Sequence, residues 1–273
     1  PRPHNPPNWP PMNNHIPTHF ELLSVAQELA QAAGRVTLEH FGGILKTDTK
    51  GDGTPVTVAD RAAETLLREE IGRRYPTHGI LGEEFGESKP GAPVRWILDP
   101  IDGTRSFMRG VPLYGVLIGI EIRGEPAVGV AHFPGLSETV AGADGEGCFW
   151  NGTRCRVSGV SVIEASAALT TDPRELLDGP MAAGWRELVK RTSLARSWGD
   201  CYGHILVATG RAEIMVDPIL SPWDAAPFVP ILREAGGTFT DRAGVARVDG
   251  GSGISTNGIL HEEVLRILEG SPA

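Results

Sequence analysis

Basic residues are scarce in this chain. Of its 273 residues, 25 are lysine or arginine and 34 are aspartate or glutamate, which gives a formal net charge of -9 at pH 7. Nucleic acids and anionic membranes bind clustered lysine and arginine, so this balance argues against both as partners. No stretch approaches the roughly 18 uninterrupted apolar residues of a transmembrane helix, so the sequence predicts none.

Cysteine and histidine are also sparse. The three cysteines, Cys148, Cys155 and Cys201, are odd in number and lack a metal-binding spacing. We therefore expect neither a disulfide scaffold nor a zinc finger, and we predict a cytoplasmic protein. The eight histidines are scattered without a paired metal spacing, and we interpret them, His132 and His204 included, as structural or incidental.

The chain is long enough for about two domains or one large one. Seven of residues 1–17 are proline, which predicts a weakly ordered arm. We expect this arm to be a passive tail, with a proline-rich docking ligand as the alternative, and either Met12 is the natural start or the arm is an upstream extension. The rest divides into a predicted α+β subdomain at 18–165 and an α/β subdomain at 166–273.

Apolar periodicity predicts two N-terminal helices over an antiparallel sheet, followed by alternating strands and helices. The first helix begins with a capping box at Thr18 and Glu21 and ends at Gly42, and the second runs from Thr57 to Pro76. The predicted strands are 80–81, 94–98, 116–122, 127–132, 138–143, 148–157, 167–170, 214–216, 238–240 and 254–256. The remaining predicted helices are 184–192, 200–209, 224–235 and 261–268.

Acidic residues follow the predicted strands at two points. Glu83 and Glu84 come after strand 80–81, and Asp99 and Asp102 come after strand 94–98. A fifth acid, Asp224, stands at a predicted helix start. Carboxylates without paired histidine or cysteine favour a hard cation such as Mg²⁺ over zinc. Two such ions can activate water and stabilise the leaving oxygen in phosphate-ester hydrolysis.

The Asp99-Pro-Ile-Asp102-Gly-Thr104 spacing has a physical interpretation. Pro100 keeps the chain extended, and a turn at Ile101 can present a backbone carbonyl between the two carboxylates. Gly103 lets the chain turn so that free N–H groups face a phosphate, and the Thr104 hydroxyl can orient the attacking water. Taken singly, each of these acids is equally consistent with an ordinary turn, an exposed loop or a helix N-terminus.

Three motifs together resemble those of the inositol monophosphatase superfamily, which comprises lithium-sensitive, magnesium-dependent phosphomonoesterases. They are Leu81-Gly-Glu-Glu84, Trp96-Ile-Leu-Asp-Pro-Ile-Asp-Gly-Thr104 and Pro222-Trp-Asp-Ala-Ala226. The resemblance covers about residues 18–268. It implies a layered αβαβα sandwich of the α+β or α/β class, in a homodimer. It also implies five metal ligands: the side chains of Glu83, Asp99, Asp102 and Asp224 and the carbonyl of Ile101.

The same resemblance assigns further roles. Gly103 and Thr104 would hold the phosphate, and Thr104 would activate water together with Glu83. Asp60, in a stretch that matches the family's first active-site loop, would orient water or a further ion near Glu83; the alternative is an acid in the first turn of a helix. In that stretch, Lys50 or Asp52 could mark a lid over a third metal.

Residues outside these motifs indicate the substrate. The segments Trp198-Gly-Asp-Cys-Tyr-Gly-His204 and Arg105-Ser-Phe107 most resemble the histidinol-phosphatase branch of the family. Asp200 and Asp217 would pair with the ammonium and imidazole of histidinol phosphate. Tyr202 would pack against the imidazole or bind its nitrogen, with a buried interface role as the alternative. Asp200 alone equally fits a helix N-cap, and Arg105 would contact either the phosphate or a neighbouring acid.

We therefore predict an enzyme that hydrolyses L-histidinol phosphate in histidine biosynthesis, by in-line attack of metal-activated water. Four carboxylates and a phosphate dianion total about -6, which two or three Mg²⁺ ions would largely neutralise. The alternatives are an inositol-1-monophosphatase or broad-specificity phosphatase, a nucleotidase, which lacks a clear adenine platform here, and a non-catalytic regulator that binds a phosphorylated metabolite.

Overall fold

The computed structural model describes residues 16–42, 47–49 and 55–270. The predictions on residues 1–15, Met12 included, and on Lys50 and Asp52 lie outside these ranges. None of the helices in the described ranges is both long and apolar enough to span a bilayer.

Two helices form the first layer. Helix α1 (His19–Leu38) begins with the predicted capping box, in which Thr18 and Glu21 exchange hydrogen bonds of 2.8 and 3.2 Å. A short ladder of β1 (Thr47–Thr49) and β2 (Pro55–Thr57) leads into helix α2 (Val58–Arg74). Both helices turn apolar residues toward the sheet below them.

The larger sheet lies beneath these helices. Its eight strands are, in spatial order, β10 (Thr153–Arg154), β9 (Gly147–Trp150), β8 (Glu138–Ala143), β7 (Glu125–Phe133), β6 (Gly115–Ile122), β5 (Val94–Asp102), β3 (Gly79–Gly82) and β4 (Gly86–Ser88). All neighbours pair antiparallel except β3 and β5, which are parallel. The prediction of an antiparallel sheet is therefore confirmed, except that β3 and β5 form a parallel pair.

A second sheet of five strands is mixed. Its spatial order is β12 (Leu194–Arg196), β11 (Ala167–Leu169), β13 (Ile214–Asp217), β15 (Gly253–Thr256) and β14 (Thr238–Thr240). Strand β11 runs parallel to both of its neighbours, whereas β15 is antiparallel to β13 and β14.

The other helices complete the layers. They are α3 (Thr104–Met108), α4 (Ala182–Arg191), α5 (Cys201–Ala208), α6 (Pro222–Ala225), α7 (Phe228–Ala235) and α8 (His261–Leu268). Helices α5, α6 and α7 lie between the two sheets, and α4 and α8 cover the outer face of the second sheet. The order helix, sheet, helix, sheet, helix confirms the predicted αβαβα sandwich.

Apolar side chains fill the spaces between these layers. One cluster joins α1 and α2 to the large sheet, and another lies between the second sheet and α4 and α8. The central cluster combines residues of both predicted subdomains, for example Ile97 and Leu117 with Leu169 and Phe228. The division near residue 165 stays a prediction.

Two predicted elements are split in the structure. The strand predicted at 148–157 is a hairpin, because Asn151 and Gly152 have φ values of 47° and 79° and form its turn. The helix predicted at 224–235 is two helices, because Pro227 has no N–H to continue α6 into α7. Strands β1, β2, β4 and β12 and helix α3 were not predicted. Cys148, Cys155 and Cys201 are free thiols.

Candidate active site

Strand β5 brings two aspartates to the same place. The sequence predicts that the strand ends at Leu98, but it continues to Asp102 with a register shift between Asp99 and Asp102. Asp99 pairs with Leu117 and Asp102 pairs with Gly115, so β5 carries one residue more than β6 over this interval. Residues three apart on a regular strand face opposite sides, and the extra residue returns both carboxylates to one side.

Asp224 joins them from the second half of the chain. Carboxylate oxygens of Asp99, Asp102 and Asp224 all lie within 4.8 Å of one another, and we call these three residues the aspartate cluster. Backbone N–H groups hold each of them: that of Ile101 donates to Asp99 (2.9 Å), that of Cys201 to Asp102 (2.6 Å) and that of Ser221 to Asp224 (2.8 Å). The Ser221 contact belongs to a capping box, so Asp224 also fills the predicted helix-start position.

The surroundings of the aspartate cluster disfavour the ionised form of its three carboxyl groups when no cation is bound. Burial, the neighbouring Glu83 and then Asp102 raise the pKa of Asp99 well above its usual range. Burial and Asp224 raise the pKa of Asp102 to about 7, and burial together with Glu83 raises that of Asp224 to about 7. A divalent cation would reverse these shifts, and an all-oxygen donor set fits a hard ion such as Mg²⁺.

Glu83 and Asp60 lie beside this cluster. The charge of Glu83 contributes to the raised pKa values of both Asp99 and Asp60, so the three carboxylates are neighbours. Asp60 is the third residue of a capping box, where one of its oxygens accepts hydrogen bonds from the N–H (2.8 Å) and hydroxyl (2.5 Å) of Thr57. Burial is the main cause of its raised pKa. Asp60 therefore lies in the first turn of helix α2, which was the alternative interpretation of its role, and it is also a neighbour of Glu83.

Glu64 supports the Glu83 loop, and sequence reasoning missed it. Its fully buried carboxylate accepts the backbone N–H groups of Glu84 (2.7 Å) and Phe85 (3.2 Å) and pairs with Arg68 (2.7 Å). A Cβ at Gly82 would lie 2.0 Å from this carboxylate, so only glycine fits there. The available signal was an acid on the buried stripe of α2, three residues before Leu67.

Gly103 and Thr104 form the turn after the aspartate cluster. Gly103 has φ 80° and caps helix α3, and a Cβ there would approach Asp200 Oδ2 to 3.1 Å. The Thr104 hydroxyl donates to the Ile101 carbonyl at 3.1 Å. That carbonyl oxygen keeps a second lone pair for another partner.

A cavity of about 690 Å³ opens beside the aspartate cluster. Asp102 and Asp224 of the aspartate cluster line it, and so do Asp200 and Asp217. Asp200 stands at the N-cap of α5, yet its side chain makes no capping hydrogen bond and instead accepts one from Ser106 at 3.2 Å. Burial, followed by repulsion from Asp102 and Asp217, raises its pKa to about 8.

Thr171 and His204 hold these two aspartates, and sequence reasoning missed both. The Thr171 hydroxyl accepts the backbone N–H of Asp200 (2.8 Å), and the Thr171 N–H donates to Asp217 Oδ1 (3.1 Å). His204 Nε2 lies 3.2 Å from Asp217 Oδ2. All four residues line the cavity, and we call them the acidic wall. The sequence signal for Thr171 was a polar residue just after strand β11.

Two further predicted residues differ in position. Arg105 lines the cavity, and its charge lowers the pKa of Asp172 and opposes the rise in that of Glu175; its contact with phosphate or an acid stays a prediction. Tyr202 is not among the residues that line it. Its hydroxyl donates to Glu138 (3.1 Å), and its ring contacts Phe133 edge-on. Tyr202 is half-buried, and these contacts fit the packing role that was the alternative to substrate contact.

The sequence and fold were compared with those of known proteins. The sequence profile described as the inositol monophosphatase family matches residues 19–273. The chain belongs to this family. As a member of the inositol monophosphatase family it is a phosphatase, and the resemblance seen in its sequence motifs is confirmed.

Relatives of this family member share most of its length. A histidinol-phosphatase of Chlorobaculum parvum is 46% identical over 89% of this chain and 95% of its own length. The histidinol-phosphatase of Mycobacterium tuberculosis is 43% identical over 91% and 97%. Among solved structures, the extragenic suppressor protein suhB of Bartonella henselae is similar with a TM-score of 0.85 and 30% identity, over 91% of this chain and 98% of that one.

Proposed function

We propose that this phosphatase hydrolyses L-histidinol phosphate to L-histidinol and phosphate. The observation that carries the proposal is the juxtaposition of the aspartate cluster with Asp200 and Asp217 in one cavity. A phosphate ester with a cationic organic group suits a cavity with metal-binding acids on one side and further acids on the other. The names of the two bacterial histidinol-phosphatases support the same substrate.

The proposed cofactor is Mg²⁺, in two or three ions. Its ligands would be the carboxylates of Glu83, Asp99, Asp102 and Asp224 and the carbonyl of Ile101. The mutual repulsion within the aspartate cluster supports this assignment, because a bound cation would offset it. When bound, such ions polarise phosphoryl oxygens and activate water for attack on phosphorus.

The chain's own residues would orient the reactants. Gly103 and Thr104 lie between the cavity residues Asp102 and Arg105, and we propose that N–H groups of their turn bind the phosphate. Glu83 would accept the proton of the attacking water, with the Thr104 hydroxyl orienting that water. Asp60 would fix the position of Glu83 or of a further water.

The organic end of the substrate would meet the acidic wall. Asp200 and Asp217 would accept hydrogen bonds from the ammonium or the imidazole, and Arg105 would contact the phosphate. We do not include Tyr202 among the residues proposed to contact the substrate, because its hydroxyl donates a hydrogen bond to Glu138.

Inositol-1-monophosphate, or a broad range of esters, is the second candidate substrate. Carboxylates also accept hydrogen bonds from polyol hydroxyls, and family membership alone does not distinguish the two. A non-catalytic regulator is less consistent with a complete set of acids in a phosphatase family. We also propose a homodimer, as in the family resemblance, and a cytoplasmic location, which suits three free thiols; light scattering would test the dimer.

The deciding experiment measures phosphate release from L-histidinol phosphate and from myo-inositol 1-phosphate with Mg²⁺ and with a chelator. The proposal predicts a higher kcat/KM for histidinol phosphate and no turnover of either ester after chelation. An equal or reversed preference would overturn the substrate and leave the metal phosphatase. Turnover that survives complete chelation would overturn the metal assignment.

A further inference from the structure

A buried chain of hydrogen bonds lies behind Asp217. Ser255 Oγ is 2.7 Å from His204 Nδ1, and His204 Nε2 is 3.2 Å from Asp217 Oδ2. The side chains of His204 and Asp217 are only 1% and 3% exposed. The imidazole stacks on Phe228 with ring centroids 4.6 Å apart, and Phe228 also lines the cavity. These hydrogen bonds therefore connect Ser255, in strand β15 of the second sheet, to the acidic wall.

The hydrogen-bond partners of His204 are compatible with a simple arrangement of protons. Where Asp217 is ionised, its carboxylate only accepts hydrogen bonds, so His204 Nε2 donates to it. The Ser255 hydroxyl can then donate to Nδ1. The backbone N–H of Thr171 donates to the other oxygen of Asp217, at 3.1 Å. Asp217 is thus held at both oxygens. His204 of α5, itself bonded to Ser255 of β15, contacts one oxygen, and Thr171, which follows β11, donates to the other.

This arrangement leaves Asp217 able to bind a ligand. Each carboxylate oxygen accepts more than one hydrogen bond, so both oxygens keep lone pairs for a donor in the cavity. A fixed carboxylate discriminates by charge and direction, because a cationic N–H donor forms a stronger hydrogen bond than a neutral hydroxyl. Both nitrogens of His204 have partners, and one of these partners, Asp217, lines the cavity.

We propose that His204 is a positioning residue, which fixes Asp217 so that the acidic wall selects substrates with a cationic organic end. The proposal rests on the proposed function for its choice of substrates. It assigns His204, interpreted from the sequence as structural or incidental, to substrate selection.

The test compares kcat and KM for L-histidinol phosphate and myo-inositol 1-phosphate in four variants and one control variant. His204→Phe keeps the aromatic stack and removes both hydrogen bonds. We expect it to raise KM for histidinol phosphate about tenfold, the size expected when a charge-assisted hydrogen bond weakens. Its kcat and its KM for the inositol ester should stay within about twofold of wild type. His204→Gln, whose amide N–H2 can still donate to Asp217, should recover most of the selectivity.

The third and fourth variants test the coupling of His204 to Asp217. Asp217→Asn removes the charge, and the double variant with His204→Phe should be no less selective than Asp217→Asn alone. This non-additivity is expected when two residues act as one unit. His261→Phe provides the matched control: His261 is a buried histidine bonded to the Thr240 and Thr256 hydroxyls, and it does not line the cavity. It should leave both KM values unchanged.

Three outcomes would overturn the proposal. They are an equal loss of kcat on both esters in His204→Phe, additive effects of the two single substitutions, and a His261→Phe variant that loses selectivity to the same extent. If His204→Phe does not fold, Ser255→Ala, which removes the partner of Nδ1, replaces it with a smaller expected rise in KM. Should the wild type prefer the inositol ester, the proposed substrate fails, while coupling of His204 and Asp217 on that ester still tests the positioning role.

Discussion

Two groups of cavity residues hold their acids in different ways, the aspartate cluster as the first side and the acidic wall as the second. In the aspartate cluster, three carboxylates converge within 4.8 Å and each accepts a backbone N–H group, and among the described residues no lysine or arginine forms an ion pair with them. In the acidic wall, Asp217 is bonded to Thr171 and His204. The first side is electrostatically incomplete without a cation, whereas on the second side the protein already holds Asp217 at both oxygens. We infer that the first side determines whether the reaction occurs and the second side determines which ester reacts.

Asp99→Asn should separate the two sides most clearly. The substitution removes a central negative charge from the aspartate cluster and leaves the acidic wall unchanged. We expect phosphate release from both esters to fall by about 10²–10³-fold or more, as for the loss of a group that stabilises transition-state charge. Selectivity between the esters, measured on residual activity, should not change.

Asp241→Asn is the control for this substitution. Asp241 is another buried aspartate, and it accepts the N–H groups of Ala243 and Val245 in a surface turn outside the cavity. Its variant should retain the wild-type turnover. Wild-type turnover in Asp99→Asn would contradict the assignment of the aspartate cluster.

Glu64→Gln should affect the aspartate cluster indirectly. The amide cannot pair with Arg68 as a charge, and it holds the N–H groups of Glu84 and Phe85 less strongly. A displaced Glu83 should lower kcat about tenfold on both esters, in line with the loss of a charged hydrogen bond. Steady-state kinetics at several Mg²⁺ concentrations would measure this. A change in selectivity without a change in kcat would contradict the separation of the two sides.

The pH dependence of stability should reveal the unpaired acids. Folding raises the pKa of Asp102 and Asp224 to about 7 and that of Asp200 to about 8, so the folded protein binds protons more tightly than the unfolded chain. Stability from these groups is complete below their unfolded pKa near 4 and is lost as the pH rises through 7 and 8. Buried His78 and His132, with pKa values near 4, act in the opposite direction, but only below pH 6.5.

Thermal unfolding between pH 6.5 and 8 therefore isolates the carboxylates. In chelated protein, we expect the free energy of unfolding to fall by roughly 3 kcal/mol over this interval, the linkage of between one and two protons. Excess Mg²⁺ should remove the part of the slope that comes from Asp102 and Asp224, because a bound cation favours their ionised forms. A slope that is the same with and without Mg²⁺ would show that these acids do not bind the ion.

The same contrast explains what could be predicted from the sequence. Asp99, Asp102, Gly103 and Thr104 lie in one continuous segment, so their spacing alone indicated a common site. The β-bulge that turns both aspartates to one side is consistent with Pro100, but its register depends on pairing with β6. Local signals such as the capping box of α1 and the limits of β8, β14 and α8 were likewise sufficient.

Residues of the acidic wall were harder to predict, because their partners are distant in sequence. Thr171 meets Asp217 across 46 residues, and His204 meets Ser255 across 51. Nothing in the neighbourhood of His204 in the sequence indicates that Asp217 will lie next to it. Tyr202 was predicted to contact the substrate, but its hydroxyl donates a hydrogen bond to Glu138, which is 64 residues away in sequence. Only the packing of α5 between the two sheets decides which of its residues reach the cavity.

The smallest expected effect concerns the backbone of the acidic wall. Asp200 has φ 49° and ψ -157°, a conformation that glycine adopts readily and other residues adopt at a cost of about 1–3 kcal/mol. Asp200→Gly and Asp200→Asn both remove the charge, so both should reduce the preference for histidinol phosphate. Only glycine also relieves the backbone, and its variant should be about 1 kcal/mol more stable than the asparagine variant by chemical denaturation. If the asparagine variant were the more stable of the two, the strain at Asp200 would be refuted. If both variants kept the full preference, Asp200 would be a structural residue and selection would rest on Asp217 alone.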